Sequence, residues 1–259
     1  MLNILKENLR QAVHDKLLLG AGALLVIEGI STVAGDETLT AATGSEAVGG
    51  IGIFAGALLP IFIGVITGRI CGTDLRDKTA NYEILFGKKR SAVYLGRFFA
   101  ALIVSCAVTL LITLVPVCFM AIRNGWGGSI TAGNALLHFG MIFPFVFRLA
   151  AVYAALTFLA GNDLVPITVS FVGTLLVMIA SFLLEDAGYA LTWQTAASDL
   201  KTMLDFSNTT EGFLNGQDIL VYKAFLSGGT VLRMLCTSFG IGLMWLAAGL
   251  AVYRKRDIS

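Results

Sequence analysis

The sequence predicts an all-α membrane protein with six transmembrane helices, an interfacial helix before them, and a short cytoplasmic helix between the second and third. Hydrophobic residues make up 56% of the chain and charged residues 14%, whereas soluble domains carry about 25% charged residues. Apolar runs of about 20 residues recur, and each is long enough to cross a hydrocarbon core of about 30 Å as a helix. The sequence does not have the short alternating strands that a closed membrane barrel requires.

Residues 1–16 have the pattern of an amphipathic helix. Apolar side chains recur at spacings of three and four, which places them on one helix face. These are Leu2, Leu5, Leu9 and Val13. The other face is polar, with Lys6, Glu7, Arg10, Gln11 and His14. A helix of this kind lies in the membrane interface, and the alternative is a solvated lead-in to the first span.

Residues 17–259 form the predicted transmembrane domain. The six predicted spans are 17–34, 51–71, 98–122, 135–160, 165–184 and 232–253. Two of the connections between them are long, the charged loop 72–97 and the segment 185–231. The second of these carries apolar residues spaced as in short helices. It either dips back toward the membrane, where other parts of the protein must cover it, or lies on the surface as a cap.

The basic residues predict the orientation of the chain. With the N-terminus inside, the inner side holds 13 of the 18 Lys and Arg residues and the outer side holds four. Cytoplasmic loops carry an excess of Lys and Arg. The sequence therefore predicts a multi-pass protein of the cell membrane, with both termini and loop 72–97 in the cytoplasm and segment 185–231 outside the cell.

Small residues recur at every fourth position along the second span. They are Gly52, Gly56, Pro60, Gly64, Gly68 and Gly72. A spacing of four places them on one slowly turning stripe, and small side chains let helices approach closely in lipid. We expect a helix-packing seam, with contacts at Gly52, Gly56, Gly64 and Gly68. A seam that also slides during transport is the alternative.

Two charged residues lie inside predicted spans, Glu28 in the first and Arg148 in the fourth. Glu28 is 12 residues from Lys16, and Arg148 is 12 residues from Ala160, which places both about 18 Å from the inner boundary along a helix. Charges at this depth usually face a partner or a water-filled cavity. We expect the two to face the bundle interior and to pair, unless Glu28 is close enough to the outer surface to be hydrated alone.

The sequence has no motif for nucleotide hydrolysis or for catalysis. A GxxxxGK[ST] phosphate loop is absent, as are the HExxH and GxSxG signatures. The four cysteines form no CxxC pair, so they indicate neither a metal site nor a disulfide framework. We therefore expect no enzymatic activity, no catalytic residue, no metal site and no cofactor bound by this chain.

The loop 72–97 is a charged segment between two apolar runs, and the pattern of its first part, 74–86, predicts a short helix. Its basic residues are explained by topology alone. Topology does not explain apolar side chains in a cytosolic loop, and these side chains indicate docking onto another protein. The candidate docking residues are Asp74, Asp77, Tyr82, Glu83, Leu85, Phe86 and Arg90.

This arrangement resembles the ABC-2-type permease family, which has six spans, an N-terminal interfacial helix and a coupling helix between spans two and three. The residues that carry the resemblance are Asp74 or Asp77, Lys78-Thr79, Ile84-Leu85, Arg90-Ser91, Arg97 and the basic ending 253–257. The sequence departs from the family pattern in three ways. The Ser-Arg order is reversed, the preceding Pro is absent, and Arg97 stands in place of a common Lys.

The resemblance implies an ATP-driven exporter in which this chain is the permease subunit. Two copies would pair in the bilayer, and two ABC ATPase subunits that bind ATP and Mg would dock beneath them through the helix 74–86. Short permeases of this family are similar to lantibiotic-immunity and phenol-soluble-modulin exporters, which implies amphipathic or antimicrobial peptide cargo and no nucleic acid. A secondary carrier driven by an ion gradient and a non-transporting scaffold or sensor subunit stay open as alternatives.

Overall fold

The computed structural model describes residues 2–35, 43–76, 79–127, 131–183, 210–214, 217–221 and 228–255. These form eight helices and one two-stranded hairpin. In chain order the elements are α1 Leu2–His14, α2 Lys16–Gly35, α3 Gly44–Arg76, α4 Thr79–Leu85, α5 Arg90–Asn124, α6 Ala132–Ala160, α7 Leu164–Leu183, β1 Thr210–Leu214, β2 Gln217–Val221 and α8 Gly228–Lys255.

The helical membrane character predicted from composition is confirmed. Within the described residues, four helices are long and apolar enough to cross a membrane: α3, α5, α6 and α8. They coincide with four of the predicted spans. The remaining two predicted spans coincide with α2 and α7, which are apolar helices of 20 residues each. That α2 and α7 also cross the membrane stays a prediction.

The helices around loop 72–97 differ from the prediction. α3 has 33 residues and α5 has 35, so each is about 50 Å long and projects beyond a hydrocarbon core of about 30 Å. Because α3 continues to Arg76, the predicted helix 74–86 is divided. Asp74 lies on the end of α3, and the separate helix α4 is only seven residues long. The chain reverses after α4 at Gly87, whose φ of +83° suits glycine.

The large segment between α7 and α8 contains a β-hairpin where short helices were expected. Strands β1 and β2 pair antiparallel, with Thr210 opposite Val221 and Leu214 opposite Gln217. The residues between the strands are Asn215-Gly216 in the sequence, which is the strongest short-range hairpin signal. The question of whether segment 185–231 re-enters the membrane lies mostly outside the described residues.

The core of the bundle lies around α3 and α6. α3 packs against α5, α7 and α6, and α6 packs against α8 as well. Of the α6 span, 72% is buried inside the protein, compared with 17% of the α8 span. α6 is therefore the central helix, and α8 presents most of its surface outward.

The N-terminal helix packs on the bundle with a face that includes only the middle of its leucine stripe, Leu5 and Leu9. Ile4, Asn8 and Ala12 are buried, whereas Leu2 and Val13 are exposed. The buried Asn8 is tolerated because its Nδ2 donates to the Ile4 carbonyl at 2.8 Å. The helix contacts α5 and α2, so it is attached to the bundle on one side and leaves part of its apolar stripe uncovered.

The start of α3 is held by main-chain hydrogen bonds to the segment that follows α5. Gly44 N–H donates to the Gly125 carbonyl at 2.9 Å, and Ser45 N–H donates to the Trp126 carbonyl at 3.0 Å. Two N–H groups at the start of α3, which have no partner inside the helix, are satisfied in this way. We call this region, residues 43–47 with 124–127, the opposite end.

Candidate functional site at the charged end

Ionic contacts concentrate at the end of the bundle where α3 finishes and α5 begins. α4, the turn between α6 and α7, the last turn of α8 and the corner between α1 and α2 lie at the same end. Charged side chains from these elements meet there in four separate groups. We call this region the charged end, and it contains every described residue of the predicted docking set.

Arg97 is at the centre of the first group. It lies two turns into α5 and is only 1% exposed. Its Nη2 donates to Asp74 Oδ2 on α3 at 2.8 Å and to Glu83 Oε2 on α4 at 3.2 Å. One buried cation therefore holds three helices together. Among the residues that the structure describes, its Nε and Nη1 atoms are buried and have no hydrogen-bond partner.

α4 has an inner and an outer side. On the inner side, Glu83 pairs with Arg97 and Ile84 packs against the hydrophobic core. On the outer side, Tyr82 is 61% exposed, Leu85 70% and Phe86 86%. The exposed aromatic and aliphatic side chains form one patch, residues 82, 85 and 86, which we call the α4 patch. Large apolar side chains grouped on an exposed surface are typical of contact sites.

The second group joins the end of α3 to the turn between α6 and α7. Arg76 Nη1 donates to both carboxylate oxygens of Asp163, at 2.9 and 3.2 Å, and Asp163 is buried. Gly72 makes this approach possible. A Cβ atom at Gly72 would lie 2.5 Å from the Cα of Asp163, so a larger residue would push the turn away.

The third group fixes the end of α8. Arg90 Nη1 donates to the carbonyls of Tyr253 and Arg254, at 3.3 and 3.0 Å. These are carbonyls of the last helical turn, which have no partner inside the helix, and a cation there also complements the helix dipole. Nearby, the ring of Phe158 on α6 lies 4.5 Å from that of Tyr94 and 4.8 Å from that of Tyr253. The aromatic contacts and Arg90 together hold α8 against α5 and α6.

The fourth group lies at the corner between α1 and α2. Asp15 Oδ2 accepts from Arg69 Nη2 on α3 at 3.1 Å, and Oδ1 accepts from the N–H groups of Leu17 and Leu18 at the start of α2. Burial raises the pKa of the Asp15 carboxyl, but the hydrogen bonds and the charge of Arg69 outweigh it, so the pKa lies below its usual value. Asp15 is thus both the cap of α2 and the contact of α2 with α3.

A cavity of about 110 Å³ lies between this corner and the end of α3. Its lining includes Asn8, Asp15, Arg69, Thr73 and Asp74. Asp15 and Arg69 pair with each other, and Asp74 pairs with Arg97. The cavity therefore leaves open space directly beside two of the ion pairs of the charged end.

The structure divides the predicted docking residues by direction. Tyr82, Leu85 and Phe86 form the outward patch, whereas Asp74 and Glu83 turn inward to Arg97. Arg90 contacts the end of α8. Asp77 lies outside the described residues.

Sequence reasoning did not assign a role to four residues of these groups: Asp15, Arg69, Arg76 and Asp163. Asp163 is separated from Arg76 by 87 positions, and no local pattern connects the two. The sequence placed Arg97 at the start of a span and in the pattern that resembles the permease family, but it did not predict the contacts with Asp74 and Glu83. A weak sequence indication of its burial exists, because Arg97 lies seven residues into the helix that begins at Arg90.

The intramembrane charges occupy different surroundings. Arg148 is buried, 3% exposed, with its guanidinium carbon 5.5 Å from the centre of the Phe145 ring. Glu28 lies on the exposed side of α2. α2 packs mainly against α5 and α3, while α6 packs mainly against α8 and α3. Pairing between the two residues stays a prediction.

Three members of the glycine stripe face α7 and the turn before it. A Cβ atom at Gly68 would lie 2.8 Å from the Asp163 carbonyl oxygen, and one at Gly64 would collide with Ser170. Together with Gly72, these glycines let α3 and α7 approach closely. Gly52 and Gly56 lie in a stretch of α3 whose side-chain packing is outside the described part.

Comparison with known proteins assigns no family to the chain. No protein-family model matches it, and no curated protein matches it. In the part of the chain that the structure describes, no three His, Cys, Asp or Glu residues are grouped as a metal site would require.

Proposed function

We propose that this chain is the membrane-spanning permease subunit of an ATP-driven exporter of the ABC-2 type. The observation that carries the proposal is the geometry of α4. Its outer side offers the α4 patch to a partner, and its inner side is tied through Arg97 to the ends of two long membrane helices. A surface that is both apolar and firmly connected to the spans is suited to receiving a mechanical input.

The input would come from a separate ABC ATPase subunit, because the sequence has no phosphate loop of its own. When ATP closes a pair of these subunits, α4 shifts with them. Arg97 and the short connections on either side of α4 pass the shift to α3 and α5. ATP acts only through its different affinity for the two states of the assembly.

The rest of the assignment extends the family resemblance. Residues 1–16 are the interfacial helix, and 17–259 form a six-helix domain with loop 72–97 in the cytoplasm and segment 185–231 outside the cell. Two copies pair in the cell membrane, and the cargo is an amphipathic or antimicrobial peptide. All side-chain contacts of the charged end serve positioning, and none performs covalent chemistry.

Orientation is tested by cysteine labelling in intact cells. In a background in which the four native cysteines are replaced by serine, Tyr82→Cys and Ile122→Cys place single thiols at the two ends of the bundle. Both positions are well exposed. We expect a membrane-impermeant maleimide to label Ile122→Cys from outside and Tyr82→Cys only after permeabilisation. Labelling of Tyr82→Cys in intact cells contradicts the proposal.

Docking is tested by co-purification of the full chain with a candidate ABC ATPase, followed by peptide-stimulated ATP hydrolysis. Tyr82→Asp and Leu85→Asp place a charge in the α4 patch, and we expect each to reduce association at least tenfold. Ile122→Asp makes the same kind of change beside the opposite end, in the last turn of α5, where the side chain is 87% exposed, and should leave association unchanged. Unchanged association of both α4 variants contradicts the docking role.

The same preparation separates the two alternatives. Transport that follows an imposed ion gradient without any ATPase supports the secondary carrier. Association with an ATPase whose hydrolysis no peptide stimulates, and no transport, supports the scaffold or sensor subunit. Only hydrolysis that depends on both the α4 patch and the cargo supports the exporter.

A further inference from the structure

The contacts of Arg97 are unevenly distributed over its guanidinium group. Arginine frequently engages a carboxylate with two nitrogens at once. Here a single nitrogen, Nη2, serves both Asp74 and Glu83. The two other nitrogens, Nε and Nη1, are buried and have no hydrogen-bond partner among the described residues. Buried donors without partners cost free energy, so this arrangement leaves part of the bonding capacity of Arg97 unused.

The surroundings of the two carboxylates differ. Glu83 already accepts from Lys88 Nζ at 2.9 Å through its other oxygen, Oε1. Asp74 lines the cavity of about 110 Å³ at the charged end, which provides open space beside this residue. A small rotation of Arg97 that turns two nitrogens toward one carboxylate draws the shared Nη2 away from the other, because both contacts depend on that one nitrogen.

We propose that Asp74 and Glu83 compete for Arg97, and that this competition makes α4 an element with two positions. When Arg97 engages Glu83 with two nitrogens, α4 is held against α5. When Arg97 engages Asp74 in that way, Glu83 keeps only Lys88, and α4 is released while the ends of α3 and α5 stay joined. The structure lies between these two arrangements. The competition is a property of the isolated chain, so testing it does not require the proposed ATPase partner.

Amide hydrogen exchange on the full chain in lipid nanodiscs tests the competition. The amides of Phe86 and Gly87 donate to the Tyr82 and Ile84 carbonyls, each at 2.9 Å, so their exchange reports opening of α4. We expect Asp74→Asn to slow this exchange about fivefold, because Glu83 loses its competitor. Glu83→Gln should accelerate it by a similar factor. In a static cluster, Asp74→Asn would loosen α4 or leave it unchanged, and either result overturns the proposal.

Lys88→Gln keeps the test decisive if Asp74→Asn does not fold, because Lys88 is exposed on the surface. Removing Lys88 leaves Glu83 with Arg97 alone, so we expect slower exchange at Phe86 and Gly87, by about twofold or more. Lys89→Gln is the matched control, since it removes the same charge at the next, exposed position and should change nothing. Faster or unchanged exchange in Lys88→Gln contradicts the competition.

Discussion

The two ends of the bundle are held together by different chemistry. At the charged end, helices are joined through side chains, in ion pairs of 2.8–3.2 Å between α3, α4, α5 and the turn before α7. At the opposite end, the start of α3 is joined to the segment after α5 through main-chain hydrogen bonds at Gly44 and Ser45. The same two helices, α3 and α5, are thus connected in both ways.

The difference indicates which end is able to move. Main-chain hydrogen bonds such as those of Gly44 and Ser45 fix one register between the two segments that they join. Side-chain ion pairs depend on charge, on protonation and on flexible groups, and at the charged end Arg97 and Glu83 each contact two ionic partners. We infer that the opposite end is the anchor of α3 and α5 and that the charged end is the adjustable part, where a push on α4 is converted into helix movement.

The largest expected effect comes from removing the central cation of the charged end. Arg97→Met leaves Asp74 and Glu83 without their shared partner, and we expect it to lower the free energy of unfolding by about 2–3 kcal/mol. Arg10→Met, which changes an exposed arginine on α1, should have almost no effect. Denaturant unfolding in detergent compares the two. A loss no larger in Arg97→Met than in Arg10→Met contradicts the central role of Arg97.

At the opposite end, we expect stability to depend on side-chain volume rather than on charge. A Cβ atom at Gly44 would lie 2.7 Å from the Cβ of Ala121 and 2.9 Å from its Cα, so Gly44→Ala should cost about 1–3 kcal/mol. Gly133→Ala is the control, since it meets nothing within 4 Å. The cost at Gly44 should be the same at low and high salt, measured as the shift in thermal midpoint. A strong salt dependence at Gly44 would remove the distinction between the ends.

The contact between α3 and the turn before α7 should give a smaller, charge-dependent effect. Asp163→Asn keeps the shape of the side chain but removes the charge that Arg76 contacts, and we expect a loss of about 1–2 kcal/mol. Salt should reduce this difference, because Arg76 is partly exposed. Glu7→Gln, at an exposed position on α1, is the matched control in the same unfolding measurement. Equal stability of both variants argues against a structural role for Asp163.

The smallest effect is expected from pH at the corner between α1 and α2. The pKa of Asp15 is lowered in the folded protein from its ordinary value of 3.8, so its contribution to stability is complete above that value. It is lost as the pH falls through the lowered pKa of the folded state. We expect a contribution of about 0.2–1 kcal/mol. Thermal midpoints between pH 6 and 3 should fall more steeply in the native chain than in Asp15→Asn, and parallel slopes contradict this.

The sequence predicted what depends on local composition. Long apolar runs identified the membrane helices, because spanning a bilayer requires about 20 consecutive apolar residues whatever the fold. The exposed apolar side chains of α4 were also predictable, since Tyr82, Leu85 and Phe86 stand in a charged loop where a topology signal needs only basic residues. The hairpin could have been found from Asn215-Gly216, but the neighbouring apolar residues were interpreted as helical.

The contacts that build the charged end were not predictable, because they join residues far apart in sequence. α3 continues to Arg76 because Asp74 meets Arg97 and Arg76 meets Asp163, which are 23 and 87 positions away. For α1, the leucine spacing identified a helix and part of the side that faces the bundle, since Leu5 and Leu9 pack against the core, but not the buried residues beside them. The neighbour across that face is α5, and only the tertiary structure determines that choice.

We propose that the α4 patch is a docking surface for an ATPase on the cytoplasmic side. It is tested most directly by placing a photoreactive amino acid at Leu85 in one chain and at Ile122 in another, and irradiating living cells. We predict a covalent adduct between the Leu85 position and an ABC ATPase subunit, and none from Ile122. An ATPase that copurifies with the chain yet forms no adduct at Leu85, or forms one equally at Ile122, would contradict the claim.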